Sequence, residues 1–360
     1  MNILILPYNM ASMPAITAEA LNKIEGVNAK SLTIDLHKYQ TTNSTTVYLP
    51  LGITKRTPFK WLWHKLTFRR KLYNLLKWAD VLHYHWSSIF PDDEDLKWLT
   101  ESGKPILVEW VGSEIRIPDI CKKINPYYAH AFDNGYEYNK MESRAGSLTL
   151  QQRFKDAHAI PLIIPEMTLY VQKQMFPVTY PSQIRINVKE FIPAFPAVNK
   201  KKPLIIHSPT AKICKGSNII ILVIEELKKT LDFEFVLLHD MSRDEVLKIM
   251  QEADIFLDQI IVGGYGAAAM EAMSLGKPTM CYLMKEVFEG GLSFDCPIIN
   301  TNPNNLKQQL VKLIENSQLR HDIGIQSRAF AEKYFDVEII APQLVTIYKE
   351  VLAAKKKTHA

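Results

Sequence analysis

Cysteine is scarce in this 360-residue chain, and the spacing of its four cysteines excludes the common metal and redox motifs. Cys121, Cys214, Cys281 and Cys296 are widely separated, with no CxxC pair and no zinc-ligand spacing. We therefore expect reduced thiols, as in a cytosolic protein.

Long apolar runs are also missing. No run approaches the ~20 residues of a membrane-spanning helix, and residues 1 to 6 lack the basic start and the small-residue site of a signal peptide. We therefore expect a cytoplasmic protein, or one attached to the inner face of the cytoplasmic membrane. Because 47% of the residues are hydrophobic, the chain can bury a large core, and its length favours two domains.

Acidic residues are absent between residues 36 and 79, where basic residues recur. Within residues 55–78 the basic side chains are interleaved with the aromatic residues Trp61, Trp63, Phe68, Tyr73 and Trp78. This pattern on a predicted helix suits an anionic membrane surface, where each cation contributes about 1 kcal/mol. The alternative is a solvated basic face whose aromatic residues pack into the core. A net charge of only +5, without a recognisable binding module, argues against nucleic acid.

The order of predicted elements is typical of an α/β fold with two Rossmann-like parallel-sheet domains facing a cleft. The chain opens with a buried-type strand, a loop, a helix and a second strand, and in such domains ligands bind beyond the carboxyl ends of the strands. The first loop has no GxGxxG, which argues against a dinucleotide site. Residues 167–174 predict a helix. Proline and lysine in residues 191–203 mark an exposed linker, so the predicted domains are 1–198 and 199–337.

A glycine loop lies inside residues 252–283, between a predicted strand and the predicted helix 267–275. Glycines before a helix let the backbone approach a ligand, and the free amides of the first turn favour an anion such as a diphosphate. Glu271 lies within this otherwise apolar helix. It either accepts hydrogen bonds from hydroxyls of the same ligand or pairs with an Arg or Lys.

The glycine loop also carries a family resemblance. Residues 263–278 read Gly-Gly-Tyr-Gly, four further residues, and then Glu271-Ala-Met-Ser-Leu-Gly-Lys-Pro. This segment resembles the signature of family 4 retaining glycosyltransferases, the nucleotide-sugar enzymes of the GT-B fold. The resemblance implies that Glu271 binds the nucleotide ribose. It also implies a donor-sugar glutamate eight residues earlier, where this chain has Gly263. The final predicted helix, residues 338–354, resembles the family helix that crosses back to the first domain.

The loop after the predicted strand 204–207 ends in Lys215-Gly216. The resemblance implies that Lys215 holds the donor diphosphate and that Lys212 does the work of an upstream family arginine. Two ammonium groups and a helix N-terminus would stabilise a leaving diphosphate. The alternative is two solvated loop lysines.

Two further candidates follow strands of the first domain. His83 and His85 lie on one face of a strand end, which makes His85 a cleft candidate or one member of a hydrogen-bonded pair. Glu114 lies in a turn similar to the Gly-x-Asp turn of the family. It is either a site residue or part of a local ion pair with Arg116. The histidine that many members have before this turn is missing.

The implied reaction moves a sugar from a nucleoside diphosphate sugar to a hydroxyl acceptor, with retained configuration and without a metal or other cofactor. The acceptor would be a glycan or a lipid-linked saccharide of cell-surface polysaccharide synthesis. The candidate catalytic residues are Lys212, Lys215, Glu114 and His85. The candidate donor-binding residues are Ser208, Thr210, Gly216, Asp258, Gly264, Tyr265, Gly266, Ala267 and Glu271. The alternative function, suggested by Gly263 and the missing histidine, is a non-catalytic binding or partner subunit.

Overall fold

The structure, a computed structural model, describes residues 1–36, 42–51 and 58–358, and it describes side chains except in 58–65 and 356–358. Residues 55–57 of the predicted membrane-contacting segment therefore lie outside the described residues. The rest of that segment is helical.

The first part of the chain builds a seven-stranded sheet in which every pairing is parallel. Its strand order is β3-β2-β1-β4-β5-β6-β7. The central strands are buried on both faces and are rich in Ile, Leu and Val, as expected for a parallel sheet covered by helices. The strands are β1 (Asn2–Pro7), β2 (Asn28–Thr33), β3 (Thr46–Tyr48), β4 (Val81–His85), β5 (Ile106–Trp110), β6 (Ile160–Ile163) and β7 (Tyr180–Pro181).

Within the described residues, six helices connect these strands. They are α1 (Met13–Leu21), α2 (Pro58–Trp78), α3 (Glu94–Ser102), α4 (Pro118–Ile124), α5 (Pro126–Asp133) and α6 (Arg144–Asp156). Short 3₁₀ turns follow β1 at Met10–Ser12 and β6 at Pro165–Met167. The helix predicted over 167–174 is wrong, because only this turn and irregular backbone occupy that stretch. Its residues Thr168, Tyr170 and Val171 are weak helix formers, which explains the outcome.

A second parallel sheet has five strands in the order β12-β11-β10-β8-β9. The strands are β8 (Leu204–His207), β9 (Glu234–Leu237), β10 (Ile255–Leu257), β11 (Thr279–Cys281) and β12 (Ile299–Asn300). Seven helices accompany it: α7 (Lys212–Lys215), α8 (Ser217–Leu227), α9 (Arg243–Glu252), α10 (Ala267–Ser274), α11 (Lys285–Glu289), α12 (Leu306–Glu315) and α13 (Ser317–Tyr334). The predicted α/β class with two parallel sheets is confirmed, and the domain bounds at 198 and 337 stay a prediction.

The last helix, α14 (Val337–Thr358), packs against the first sheet. Its buried residues share a hydrophobic cluster with Ile3 and Ile5 of β1, and Tyr348 Oη lies 2.8 Å from Nδ1 of buried His83. Where the chain returns, the amide of Ile186 donates to the Phe335 carbonyl at 3.0 Å, and the amide of Val337 donates to the Ile186 carbonyl at 2.9 Å. The two passages of the chain between the sheets therefore lie side by side.

Helix α2 presents two different faces in its described part. Phe68, Leu72 and Leu76 are buried in the core. On other positions of the helix, Leu66 and Tyr73 are exposed by 60% and 56%, and Arg70, Lys71 and Lys77 are also exposed. Among the described residues, no helix combines the length and apolar character needed to cross a membrane.

Candidate functional site

A cavity of about 560 Å³ opens between the two sheets. Its floor is formed by segments that follow β8 and β9 and by the first turn of α10, and the Met10–Ser12 turn faces it from the first sheet. Carboxyl ends of parallel strands are where such folds bind ligands. The polar side chains lining the cavity are Ser12, Tyr138, Ser208, Thr210, Lys215, His239, Asp240, Arg243 and Glu271.

Lys215 brings a largely buried positive charge to this cavity, with 17% of its side chain exposed. Its ammonium donates to Asp258, which is itself buried at the end of β10. Burial alone would lower the pKa of Lys215, but the Asp258 carboxylate outweighs burial and the pKa is raised. Lys215 therefore stays charged, and Asp258 is connected to the cavity through it.

The chain turns sharply after Lys215 because Gly216 adopts φ +78°. A Cβ at this position would also lie 2.5 Å from Ile260 Cγ1. Only glycine therefore fits between the lysine and the start of α8.

Buried His207 fixes the strand ends beneath this loop. Its Nδ1 lies 2.9 Å from the Leu257 carbonyl, which can only accept, so Nδ1 carries the proton and Nε2 accepts from Ser217 Oγ at 2.8 Å. Burial lowers the pKa of His207 to about 4. This neutral imidazole joins β8, β10 and α8.

Glu271 lies on α10 and lines the same cavity, with 14% of its side chain exposed. Arg243 donates to its Oε1 from Nη2 at 2.7 Å and from Nε at 3.0 Å. Burial raises the pKa of Glu271, and Arg243 partly offsets that effect. The predicted pairing with an arginine is confirmed. Binding of ligand hydroxyls stays a prediction, and the second oxygen of Glu271, which lines the cavity, is not used by that pair.

The glycine loop leads into α10 with Gly266 as the N-cap, and no side chain caps the first turn. Gln259 holds the loop, because its amide nitrogen donates to the carbonyls of Gly264 and Tyr282 and its oxygen accepts from the amides of Ile261 and Val262. Ala267, the first residue of α10, lines the large cavity.

Gly263 adopts φ +87° and packs against Met284. A side chain at position 263 would collide with Met284 Sδ at 2.8 Å. The local packing therefore leaves no room for a glutamate at position 263.

Lys212 lies apart from the other predicted site residues. It is exposed at the start of the four-residue helix α7 and does not line the cavity. The adjacent amides of Ile213 and Cys214 donate to the Glu137 carboxylate at 2.7 and 2.9 Å. Of the two lysines predicted to hold the diphosphate, Lys215 lines the cavity and Lys212 does not, and that role stays a prediction.

Glu114 follows β5 and turns back onto the backbone, where it accepts from the amide of Val111. Burial raises its pKa to about 7, against the opposing effect of backbone amides and Arg116. The predicted local pair with Arg116 is wrong, because Arg116 instead donates to Glu142 and Tyr136. Glu114 is not among the residues lining the large cavity.

His85 lies inside the first sheet. It is fully buried, with Nε2 3.3 Å from Oε2 of Glu109, and Glu109 also accepts two bonds of 2.9 Å from buried Arg185. Burial would raise the pKa of Glu109, but Arg185 reverses this and holds it well below the usual range. The structure therefore places His85 in a buried ionic cluster and not in the cleft.

Gly264 and Tyr265 line a second, smaller cavity between the two sheets, of about 60 Å³. Glu166 and Arg116 face it from the first sheet. Neither Glu166 nor Arg243 is among the site residues predicted from the sequence. Both lie at carboxyl ends of strands or just beyond them, and that position was the signal available in the sequence.

No protein-family model matches the chain. One curated relative, an uncharacterized glycosyltransferase of Methanocaldococcus jannaschii, is 31% identical over 104 residues. This segment is 27% of the present chain and spans 28% of the relative's length.

Solved structures match nearly the whole chain at low identity. Sucrose-phosphate synthase from Thermosynechococcus elongatus has a TM-score of 0.62 at 14% identity, covering 98% of this chain and 99% of that one. Anabaena HepE in complex with UDP-glucose has a TM-score of 0.50 at 12% identity, covering 97% and 100%. The fold is therefore of the GT-B type.

Proposed function

We propose that the protein is a retaining glycosyltransferase of the family 4 type that moves a sugar from a nucleoside diphosphate sugar to a hydroxyl acceptor. The observation that carries the proposal is the 560 Å³ cavity, which brings Lys215, Arg243, Glu271 and the start of α10 together between the sheets. The curated relative's name and the UDP-glucose bound by HepE support a donor of this class.

In this proposal the donor diphosphate lies between Lys215 and the first turn of α10. A charged ammonium and uncapped helix amides both favour a dianion. The Glu271 carboxylate, held in place by Arg243, accepts hydrogen bonds from the ribose hydroxyls. Because the Lys215 ammonium is hydrogen-bonded to Asp258, that lysine is positioned before the donor arrives.

The chemical step breaks the bond between the anomeric carbon and the diphosphate oxygen and forms a bond from that carbon to the acceptor oxygen. Negative charge grows on the departing diphosphate, and Lys215 and α10 stabilise it more strongly in the transition state than in the ground state. The leaving phosphate takes the acceptor proton. The proposal requires no metal.

The proposed acceptor is a glycan or a lipid-linked saccharide at the inner face of the cytoplasmic membrane. Exposed Leu66, Arg70, Tyr73 and Lys77 lie at spacings of four, three and four residues, so they share one face of α2. An exposed face that mixes apolar and basic side chains suits an anionic bilayer surface.

The test begins with a thermal-shift titration against UDP, GDP and ADP, with EDTA or with Mg²⁺, and with NAD as a control ligand. A ligand at about 100 times its Kd adds roughly 2.7 kcal/mol of stability. We expect one nucleoside diphosphate to stabilise the protein in EDTA. Failure of all three would favour the non-catalytic alternative.

Two matched pairs of variants locate the site. Lys215→Ala should lower transfer about 10²-fold or more, the size seen when one stabilising donor is removed, whereas exposed Lys212→Ala should change little. Glu271→Ala should weaken nucleotide binding more than Glu114→Ala does. Equal effects within either pair would overturn the assignment. The anomeric configuration of the product, measured by NMR, tests retention.

Flotation with anionic vesicles at low salt tests the membrane surface. Charge reversal at Arg70, Lys71 and Lys77 should abolish binding, while the same reversal at exposed Lys228 and Lys229 should not. If the unaltered protein does not float with the vesicles, the lipid-linked acceptor is withdrawn and a soluble acceptor takes its place.

A further inference from the structure

The small cavity between the sheets is lined by buried polar atoms that have no hydrogen-bond partner in the part of the chain that the structure describes. Both carboxyl oxygens of Glu166 and the hydroxyl of Tyr265 are buried, and none has a hydrogen-bond partner among the described residues. Leaving a buried polar group unpaired costs about 1–3 kcal/mol, so such groups are rare unless a ligand or water completes them. Three such atoms at one cavity indicate a binding site.

The two side chains come from opposite sides of the cleft. Glu166 lies in the Pro165–Met167 turn after β6, and Tyr265 lies in the glycine loop of the second sheet. A Cβ on Gly264 would lie 2.8 Å from Glu166 Cγ, so the missing side chain at 264 lets Glu166 pack directly over the loop. The subsite therefore forms only when both halves of the molecule meet.

The chemistry of the cavity selects an uncharged ligand with hydroxyl groups. Burial raises the pKa of Glu166 to about 8, so at neutral pH it is a carboxylic acid that both donates and accepts. The Tyr265 hydroxyl does the same. Arg116, the cation at the cavity, is already bonded to Glu142 and Tyr136. No net charge is offered to a ligand by these groups.

The position of the cavity connects it to the donor site. Residues 262–265 line the small cavity, and Ala267 and Ala268, just beyond them, line the large one. The volume of about 60 Å³ exceeds the roughly 10–15 Å³ that one water requires, and it admits a hydroxyl-bearing edge of a sugar ring.

We propose that Glu166 and Tyr265 together bind a hydroxyl-bearing edge of the transferred sugar and determine which sugar the protein accepts. This inference rests on the proposed function, since it requires a nucleotide sugar in the large cavity. Glu166 is a specificity residue in this scheme, and the nucleoside diphosphate makes no contact with it.

The experiment measures, for each protein, the ratio of the Kd of a nucleoside diphosphate to the Kd of its nucleotide sugars. Isothermal titration would use the diphosphate found by thermal shift with its glucose, galactose and N-acetylglucosamine conjugates. The variants are Glu166→Leu, the near-isosteric Glu166→Gln, and Tyr265→Phe, which removes one hydroxyl. Tyr282→Phe, a tyrosine that lines neither cavity, is the control.

For the preferred sugar we expect Glu166→Leu and Tyr265→Phe to lower this ratio about tenfold, since one hydrogen bond of roughly 1.4 kcal/mol is a factor of ten. Glu166→Gln should change the order of preference among the sugars. The Kd of the diphosphate itself should stay within about twofold, which also shows that the variants fold. An unchanged ratio and order, with the diphosphate still bound, would overturn the inference and leave the proposed function standing. If the unaltered protein binds no nucleotide, both fail.

Discussion

Two glutamates of the first half of the chain, whose carboxyl oxygens are both buried, show how differently one side chain is used. Glu109 receives two bonds from Arg185 and one from Ser182. Glu166, at the cleft, has no partner for either oxygen among the described residues. Burial acts on both, but Arg185 holds the pKa of Glu109 well below its usual range, whereas the pKa of Glu166 is raised to about 8.

The difference separates an ionised carboxylate that serves the fold from a carboxylic acid that is left available to a ligand. Glu109 is ionised and hydrogen-bonded to Arg185 and Ser182 inside the sheet, so its interactions serve the fold. Glu166, whose pKa is raised to about 8, has no hydrogen-bond partner among the described residues, and a buried group left in that state costs stability. The partner of a buried carboxyl, and not its burial, indicates its role.

The largest loss of unfolding free energy should come from Arg185→Leu. It removes the counter-charge of Glu109 in a site without solvent and should cost about 3–5 kcal/mol of unfolding free energy, measured by urea denaturation. Arg144→Leu is the control, because its pair with Asp119 is exposed and should cost less than about 1 kcal/mol. Equal small losses would show that the Glu109 cluster is not structural.

A smaller effect should appear in the pH dependence of stability. Since the folded pKa of Glu166 lies above its unfolded value, the folded state binds the proton more tightly, and stability falls as pH rises from about 5 to 8. The slope from this group is at most about 1.4 kcal/mol per pH unit. Glu166→Gln should flatten it and be the more stable protein at pH 8, as read from urea midpoints at each pH. The exposed Glu252→Gln is the control, and parallel curves for Glu166→Gln and the unaltered protein would contradict the assignment.

The smallest effect should come from Tyr348→Phe, which tests whether the Glu109 cluster extends to α14. The hydroxyl of Tyr348 meets buried His83, and His83 lies 3.5 Å from Glu109. Loss of this one bond should cost about 1 kcal/mol. Exposed Tyr73→Phe should leave the urea midpoint unchanged. An unchanged urea midpoint for Tyr348→Phe would show that the Glu109 cluster does not extend beyond the sheet to α14.

The elements that define the fold could be predicted from local pattern. The strand, glycine loop and helix that carry Glu271 follow the sequence signals, including Gly276 at φ +74° after α10. Apolar runs and glycine positions are local properties, so one segment suffices to read them.

Pairings between distant segments could not be predicted. Arg243 reaches Glu271 across 28 positions, and Glu166 meets Gly264 across a much longer stretch of chain. Lys212 and Lys215 look alike in the sequence, yet a single turn of helix exposes one and directs the other into the cavity. Such differences arise from tertiary packing, which a single sequence does not display.

The adjacent passages of the chain at Ile186 and Asp336 form, in mechanical terms, one double-stranded hinge. Bending about the line of these two strands would open or shut the cleft while keeping both hydrogen bonds of Ile186. Twisting the halves against each other would shear those bonds. Bending of this kind would move Glu166 toward or away from the glycine loop.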